Sequence, residues 1–479
     1  MIDTFRRSKE KNVTNRPLAP PYRGLTVGMV ALVSLVAFEA VAVTTAMPTV
    51  ARALHGLPLY ALAFGGTLAA GVVAMVISGG WSDAKGPAAP MWTGVSTFCA
   101  GLLLAGSAPD MWLLVAGRAT QGFGGGLITV ALYVVVGRAY PSHLHPRVFS
   151  AFAGAWVVPS IAGPALAGLI VEQAGWRWVF LGMVLLTVPA ALLVRSGLRR
   201  LPSPSATPRP GGARGQLART GWALGAAASM CLLHVGGQQR GAAAPVLIAA
   251  ALVGLVVFAP RLLPRGTFSA RPGLPSVVLL RGLAGAAFIQ ADVFLPLLLS
   301  RERGFSPATA GLTLTISGVS WFLGSWYQGR WGQRLPPARR LRIGLCTIVL
   351  GVATAAACVA PEVPVGICVA GWTFAGFGMG LSYPTMSALT LQLSTPAEQG
   401  TNSSALQLAD SLFSTTMLAV GGTLFAAWVT SSPTAAYLSG FTIAAALALL
   451  GVFVAVRPCR SRDLSRVVGI SGAGSGSPA

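Results

Sequence analysis

Charge is what this 479-residue chain lacks most: Asp, Glu, Lys and Arg together make up 10% of it, against roughly 25% in ordinary soluble domains. With 54% of the residues hydrophobic, so little charge excludes a soluble globule and places the chain in a bilayer. Cysteine is also sparse. Five of the six cysteines fall in apolar runs, the sixth, Cys459, lies in a basic tail, and no CxxC pair occurs, so packing is the expected role and a redox or zinc site is not. The four histidines include an HLH at 143–145, but without neighbouring acidic or thiol ligands it makes a poor metal site. No HExxH, no GxSxG and no close Ser/His/Asp set is written anywhere, and no soluble segment is large enough to hold an active site, which argues against a membrane-embedded enzyme. No cofactor is expected.

What is abundant is apolar sequence in long runs. About 20 residues are needed to cross the roughly 30 Å hydrocarbon core as a helix, and fourteen stretches qualify: 25–50, 60–82, 90–108, 111–137, 148–174, 176–195, 220–237, 242–262, 276–300, 308–330, 341–360, 364–392, 403–430 and 436–456. The expected fold class is therefore an all-α polytopic membrane protein. The first run is too long for a signal-peptide core, so it is kept as a helix, with cleavage after Ala46 as the alternative.

A formal charge of +22 would point to nucleic acid in a soluble domain, but in a membrane protein the distribution of charge along the topology matters more. With the N-terminus inside, 27 Lys and Arg fall on the inner side, 5 outside, and Arg118 and Arg281 within helices. Both termini are thus expected to be cytoplasmic, with lipid and not nucleic acid as the surrounding partner. Arginine outnumbers lysine 31 to 3, a composition typical of GC-rich bacterial genomes, and the bacterial plasma membrane is the expected location. The count is blind to the seventh and eighth runs, since folding 220–262 back into the cytoplasm leaves the other twelve orientations unchanged; hydropathy favours their insertion.

The expected organisation is a cytoplasmic tail (1–24), a six-helix bundle (25–195), a basic Pro-rich linker with two additional helices (196–275), a second six-helix bundle (276–456) and a cytoplasmic tail (457–479). Six plus two plus six invites a search for an internal repeat. QGFGGGL at 121–127 returns as AGFGMGL at 375–381, 254 positions later. At about 1.5 Å per residue, Gly122 lies roughly 17 Å and Gly376 roughly 18 Å below the outer ends of their helices, near the midplane in both cases. Glycine is common in membrane helices for close packing, so the matched depth carries more weight than the matched letters. Neither copy completes GxGxxG or follows a soluble strand, which excludes a dinucleotide fingerprint.

These features resemble the major facilitator superfamily, and within it the fourteen-helix drug:proton antiporter branch, over 25–456. RATQGFGGG resembles that family's RxxQGxG signature through Arg118, Gln121, Gly122 and Gly124. GPALAG, with Gly163, Pro164 and Gly168, resembles the antiporter GPxxGG signature with Ala167 in place of a glycine, and reads physically as a Pro-kinked helix with small surfaces. WRWVF (176–180) also matches. GGWSDAKGPA (79–88) resembles the GxxxDxxGRR loop through Gly79, Asp83 and Gly86, with Pro87 and Ala88 where the basic pair belongs and Lys85 as a partial substitute. The resemblance implies that Asp83 locks the two halves by facing the start of the helix at TNSS (401–404), where a helix N-terminus favours an anion. It also implies alternating access, export of small amphiphilic compounds or drugs, and the proton gradient as the energy source, as in multidrug efflux and antibiotic resistance. A dedicated exporter of one metabolite or lipid is the alternative, and a monomer is the expected functional unit.

Charges within the membrane are costly and usually have a task. Glu39 lies roughly 9 Å from the outer face and Arg118 roughly 10 Å, so the two are expected to interact, the arginine coupling proton binding at Glu39 to conformation. Asp292 follows Glu39 by 253 positions and is its repeat-mate; with Glu39 and Arg118 it completes the proton-coupling candidates, either acid being alternatively a structural partner to a helix-end charge. Asp410 and Arg281 lie roughly 10 and 8 Å from the inner face and form a candidate gating pair, or else Arg281 snorkels. Phe288, Gln290, Trp372, Phe377 and Tyr383 are the candidates for a substrate cavity. Since Trp372 stands where the repeat would put a second Arg118, proton handling is expected mainly in the first half and substrate accommodation more in the second.

Overall fold

A computed structural model describes residues 17–199, 201, 212–239 and 243–459. The expectations for residues 1–16, for the middle of the Pro-rich linker, for Arg240 and for the tail beyond 459 lie outside the described residues.

The chain is an all-α polytopic membrane protein. The N-terminal half contains α1 (Arg23–Ala53), α2 (Tyr60–Lys85), α3 (Ala88–Gly106), α4 (Met111–Ala139), α5 (His145–Gly154), α6 (Val157–Gln173) and α7 (Arg177–Leu198). The added pair is α8 (Gly212–Gln238) and α9 (Ala243–Leu262). The C-terminal half contains α10 (Leu274–Arg301), α11 (Pro307–Arg330), α12 (Pro337–Ala357), α13 (Val365–Gln392), α14 (Gln399–Trp428) and α15 (Pro433–Val454). With α5 and α6 counted as one span these make fourteen, of which twelve are long and apolar enough to cross a membrane; α8 and α11 are the less apolar two.

Helix starts follow side-chain chemistry at the loops. Asp110, Ser306 and Ser432 accept hydrogen bonds from Leu113 N, Thr309 N and Ala435 N, which partners an otherwise orphaned N–H at the starts of α4, α11 and α15. Pro307 and Pro433 open the last two, where the missing N–H costs nothing.

Beyond shifts of up to four residues at helix ends, two elements differ from the sequence expectation. The fifth span begins earlier, at His145, and is broken between α5 and α6 at Ala155–Trp156. The cause is Pro159, not the Pro164 of GPALAG. Pro159 has no N–H for the carbonyl four residues back and its ring crowds that carbonyl. The freed oxygen is that of Ala155, which accepts instead from Ser34 Oγ of α1 at 2.9 Å. Pro164 stays inside α6. The seventh span, expected at 220–237, starts at Gly212 and carries Arg214 and Arg219 in its opening turns.

The duplicated glycine phrase sets the packing of each half. A Cβ on Gly122 would strike the Thr67 carbonyl of α2, and one on Gly376 would strike the Ser317 carbonyl of α11. Gly124 is pressed against the backbone of Phe98 on α3, and Gly378 against the Gly344 carbonyl on α12. In both halves the fourth helix therefore nests between the second and third at backbone contact, which is what small residues permit between membrane helices. The α8–α9 pair packs on α2: Gln216 Nε2 donates to Val76 O at 3.2 Å, and the His234 ring lies 3.0 Å from where a Gly65 Cβ would stand.

Candidate functional site

Three polar clusters sit where the apolar background makes them conspicuous. The first joins α1 to α4. Arg118 Nη1 pairs with Glu39 Oε1 and also donates to Gln121 Oε1 at 2.9 Å. Arg118 and Glu39 are 4% and 6% exposed, so the pair is shielded from solvent. Gln121 was carried by the RxxQ match without a role. One helical turn separates it from Arg118, which places its amide on the same face. Arg118 Nε and Gln121 Nε2 are buried without partners among the described residues, leaving the cluster donors to spare.

The second cluster is at the repeat-related place in the other half. Asp292, half-buried on α10, has no ion-pair partner among the described residues. Its carboxylate lies beside the Trp372 indole, although Trp372 Nε1 falls short of hydrogen-bond geometry. Trp372 is fully buried and stacks on Phe288, ring centroids 4.8 Å apart. Trp321 meets Phe288 edge-on and then Tyr383, extending the aromatic row toward the third cluster. Gln290 is buried against Gly421, and neither end of its amide has a partner among the described residues. Phe377 is half-buried and packs near Tyr327. Trp372 and Gln290 are thus enclosed by packing, whereas Phe377 and Tyr383 keep partly open faces.

The third cluster joins α10, α13 and α14. Arg281 Nη2 stands 3.0 Å from Asp410 Oδ2 and its Nε 3.1 Å from the same oxygen. Arg281 pairs rather than snorkels. Tyr383 OH donates to Asp410 Oδ1 at 2.7 Å, while the Tyr383 ring lies 3.5 Å under the Arg281 guanidinium, a cation–π contact. A side chain at Gly285 would collide with Asp410 Oδ1 and Tyr383 OH, so that position leaves room for the triad. Tyr383 was expected only as a cavity wall. No sequence spacing joins it to Arg281, because the contact is made by folding α13 onto α10.

Hydrogen bonds between the halves gather on the side from which both described chain ends emerge, here termed the terminal face. Asp83, at the end of α2, accepts from Gly400 N at 2.6 Å and from Thr401 N at 2.8 Å, capping α14 from the other half. Gly79 and Gly400 pack so closely that a Cβ on either would strike the other's carbonyl. Arg138 Nη2 donates to Ser82 O within its own half and to Pro396 O across the seam, at 3.2 and 3.3 Å. Arg138 and Arg219 both lie within electrostatic reach of Asp83. Basic charge missing from Pro87 and Ala88 is thus offered near Asp83 by α4 and α8, while Lys85 is exposed. On the opposite flank Ser150 Oγ of α5 donates to Ser325 O of α11, and Arg147 Nε to Gly329 O at 3.3 Å. Tyr133 and Ser387, repeat-mates 254 positions apart, meet through their hydroxyls at 3.3 Å across the halves.

The remaining motif glycines divide. Gly86 ends α2 with φ of +83°, a conformation that favours glycine. Gly163 faces Val41 and Phe38 of α1, while Gly168 has nothing within 4 Å of a built Cβ. Among the described residues no group of three or more His, Cys, Asp or Glu is placed to hold a metal ion.

The Major Facilitator Superfamily model matches residues 29–354 and 277–476. The probable multidrug-efflux transporter Rv1634 of Mycobacterium tuberculosis (strain ATCC 25618 / H37Rv) is 25% identical over 405 residues, covering 82% of this chain and 85% of that protein. The multidrug transporter protein MdtP of Bacillus subtilis (strain 168) is 26% identical over 195 residues, covering 41% of this chain and 35% of that protein. Among solved structures, the human organic anion transporter MFSD10 (TETRAN) superposes with a TM-score of 0.67 at 13% identity, covering 91% of this chain and 99% of that one.

Proposed function

Because the chain belongs to the Major Facilitator Superfamily and is a multi-pass membrane transporter, we propose that it exports small amphiphilic compounds by proton antiport, the two halves rocking about a midplane site. The Glu39–Arg118 pair carries this reading. An ion pair shielded from solvent inside a bilayer is costly to keep. It is justified where one partner changes charge during a cycle. Protonation of Glu39 cancels the carboxylate and frees Arg118, which retains Gln121. Loss of the proton restores the pair and draws α1 back to α4. A proton is thereby exchanged for a change in helix packing, the differential interaction that any ligand-driven shift requires.

The excess of Lys and Arg assigns the terminal face to the cytoplasm under the positive-inside rule. The seams at Asp83–Gly400 and Ser150–Ser325 then close the cytoplasmic side, and Glu39 takes its proton from outside. Asp292, beside Trp372, serves as a second protonation site at the related place in the other half. The aromatic row from Phe288 through Trp321 to Tyr383 offers apolar rings to a substrate and ends on the Arg281–Asp410 pair, which stiffens the cytoplasmic half. Efflux of a fluorescent amphiphile from membrane vesicles, with and without an uncoupler, tests the reading. Uncoupler-sensitive efflux is expected, and uncoupler-insensitive efflux contradicts proton antiport.

A further inference from the structure

At the terminal face a cavity of about 480 Å³ lies on the seam between the halves. The turn between α4 and α5 contributes Ser142 and His143, and the first turn of α5 Pro146; the C-terminal half contributes Arg334, Arg340 and Gln392. Among the described residues no acidic side chain lines it. Arg340 is the anomaly. It is only 8% exposed, its Nε is buried without a hydrogen-bond partner, and no carboxylate pairs with it among the described residues. The other interior arginines, Arg118 and Arg281, both have a carboxylate. An arginine this buried, with its Nε unpartnered and no carboxylate beside it among the described residues, is expensive to keep, and an anion entering the cavity would offset that expense.

We infer that this cavity binds a phosphate-class oxyanion, either free inorganic phosphate or the phosphodiester headgroup of an anionic phospholipid. The planar fork of Arg340 matches two oxygens of one phosphate group. Arg334, exposed on the same wall, adds a second positive charge. The cavity has room for a headgroup together with water. Since its walls come from both halves, the site is whole only while the terminal face is closed. A bound anion stabilises that state, and by reciprocity closure tightens anion binding. This conformational part rests on the alternating-access reading; the binding part does not.

The test is thermal unfolding of the purified full chain in two arms. One compares inorganic phosphate with chloride at matched ionic strength in neutral detergent, and the other compares phosphatidylcholine nanodiscs with and without phosphatidylglycerol. The expected result is stabilisation of the wild type in at least one arm. Arg340→Gln should weaken it by roughly tenfold in apparent affinity, the order expected for loss of a charge-assisted hydrogen bond. Phosphate alone acting identifies a free anion, and phosphatidylglycerol alone acting identifies a lipid headgroup; each supports the site. No stabilisation in either arm, or equal stabilisation of wild type and Arg340→Gln, overturns it. Should Arg340→Gln fail to fold, Arg334→Gln replaces it, with a weakened response expected and an unchanged affinity overturning the site. Spin labels on α4 and α13 at the terminal face then read conformation. Phosphate or phosphatidylglycerol is expected to enrich the short distance, and binding without that enrichment overturns the conformational part while leaving the transport reading to the efflux assay.

Discussion

Asp83 and Gly400 belong to different halves, yet the Asp83 carboxylate caps the first turn of α14 with its Oδ1 2.6 Å from the Gly400 nitrogen. The cap joins a negative charge to the positive end of a helix dipole across the surface that parts in the proposed alternating-access cycle. Asp83→Asn keeps the shape and removes the charge. The closed terminal face should lose about 1–2 kcal/mol, which shifts the population by roughly tenfold. Spin-label distances between α2 and α14 should lengthen accordingly; an unchanged distribution would remove the lock from the mechanism.

The Arg281–Asp410–Tyr383 triad predicts an asymmetry between single and double substitution. Asp410→Asn leaves a buried guanidinium without its anion and should destabilise the protein by about 1–3 kcal/mol, less than a fully buried pair would lose because Asp410 keeps some solvent contact. Arg281→Met combined with Asp410→Leu should recover part of that loss. Thermal unfolding in detergent checks both, and a double variant worse than the single would show that the charges are needed for more than mutual neutralisation.

The glycine contacts make a prediction by position. Gly122→Ala and Gly376→Ala push a methyl group into backbone carbonyls of α2 and α11 and should each cost about 1–3 kcal/mol by overpacking. Gly168→Ala meets nothing within 4 Å and should be neutral in unfolding temperature. If all three behave alike, the glycines are not spacing elements.

Much of this was legible in the sequence, and for definite reasons. Glu39 and Arg118 could be matched because helical rise turns residue number into depth, and two charges at one depth in a bilayer have few other partners. The duplicated phrase was visible because both fourth helices meet the same steric demand. What could not be read is contact across the chain. Nothing local in LSYPTMS announces that Tyr383 will bond Asp410, nor does Arg138 announce its grip on Pro396. The break at Ala155–Trp156 was within reach, since Pro159 lies in the fifth run, but Pro164 in the recognised motif drew the kink to itself. The early start of α8 was missed because Arg214 and Arg219 lower the hydropathy of a turn that continues the helix all the same.

Trp372 offers a cleaner separation of roles than its position on a list of cavity aromatics. It is buried, stacked on Phe288 and set beside Asp292. Trp372→Phe preserves the stack and removes the indole N–H, so pH dependence of transport should shift with little change in substrate range. Trp372→Ala opens the row and should change the range as well. Efflux of a panel of dyes across external pH distinguishes the two, and identical behaviour of both variants would deny the indole any part in proton handling.

The proton-coupling role proposed for Glu39 is tested most directly by Glu39→Gln in proteoliposomes, with an imposed pH gradient driving movement of a fluorescent amphiphile while downhill exchange of the same compound is followed without a gradient. Gradient-driven accumulation should be lost and downhill exchange should persist, because glutamine mimics the protonated acid. Gradient-driven accumulation at the wild-type rate would contradict the assignment of Glu39 as the proton carrier.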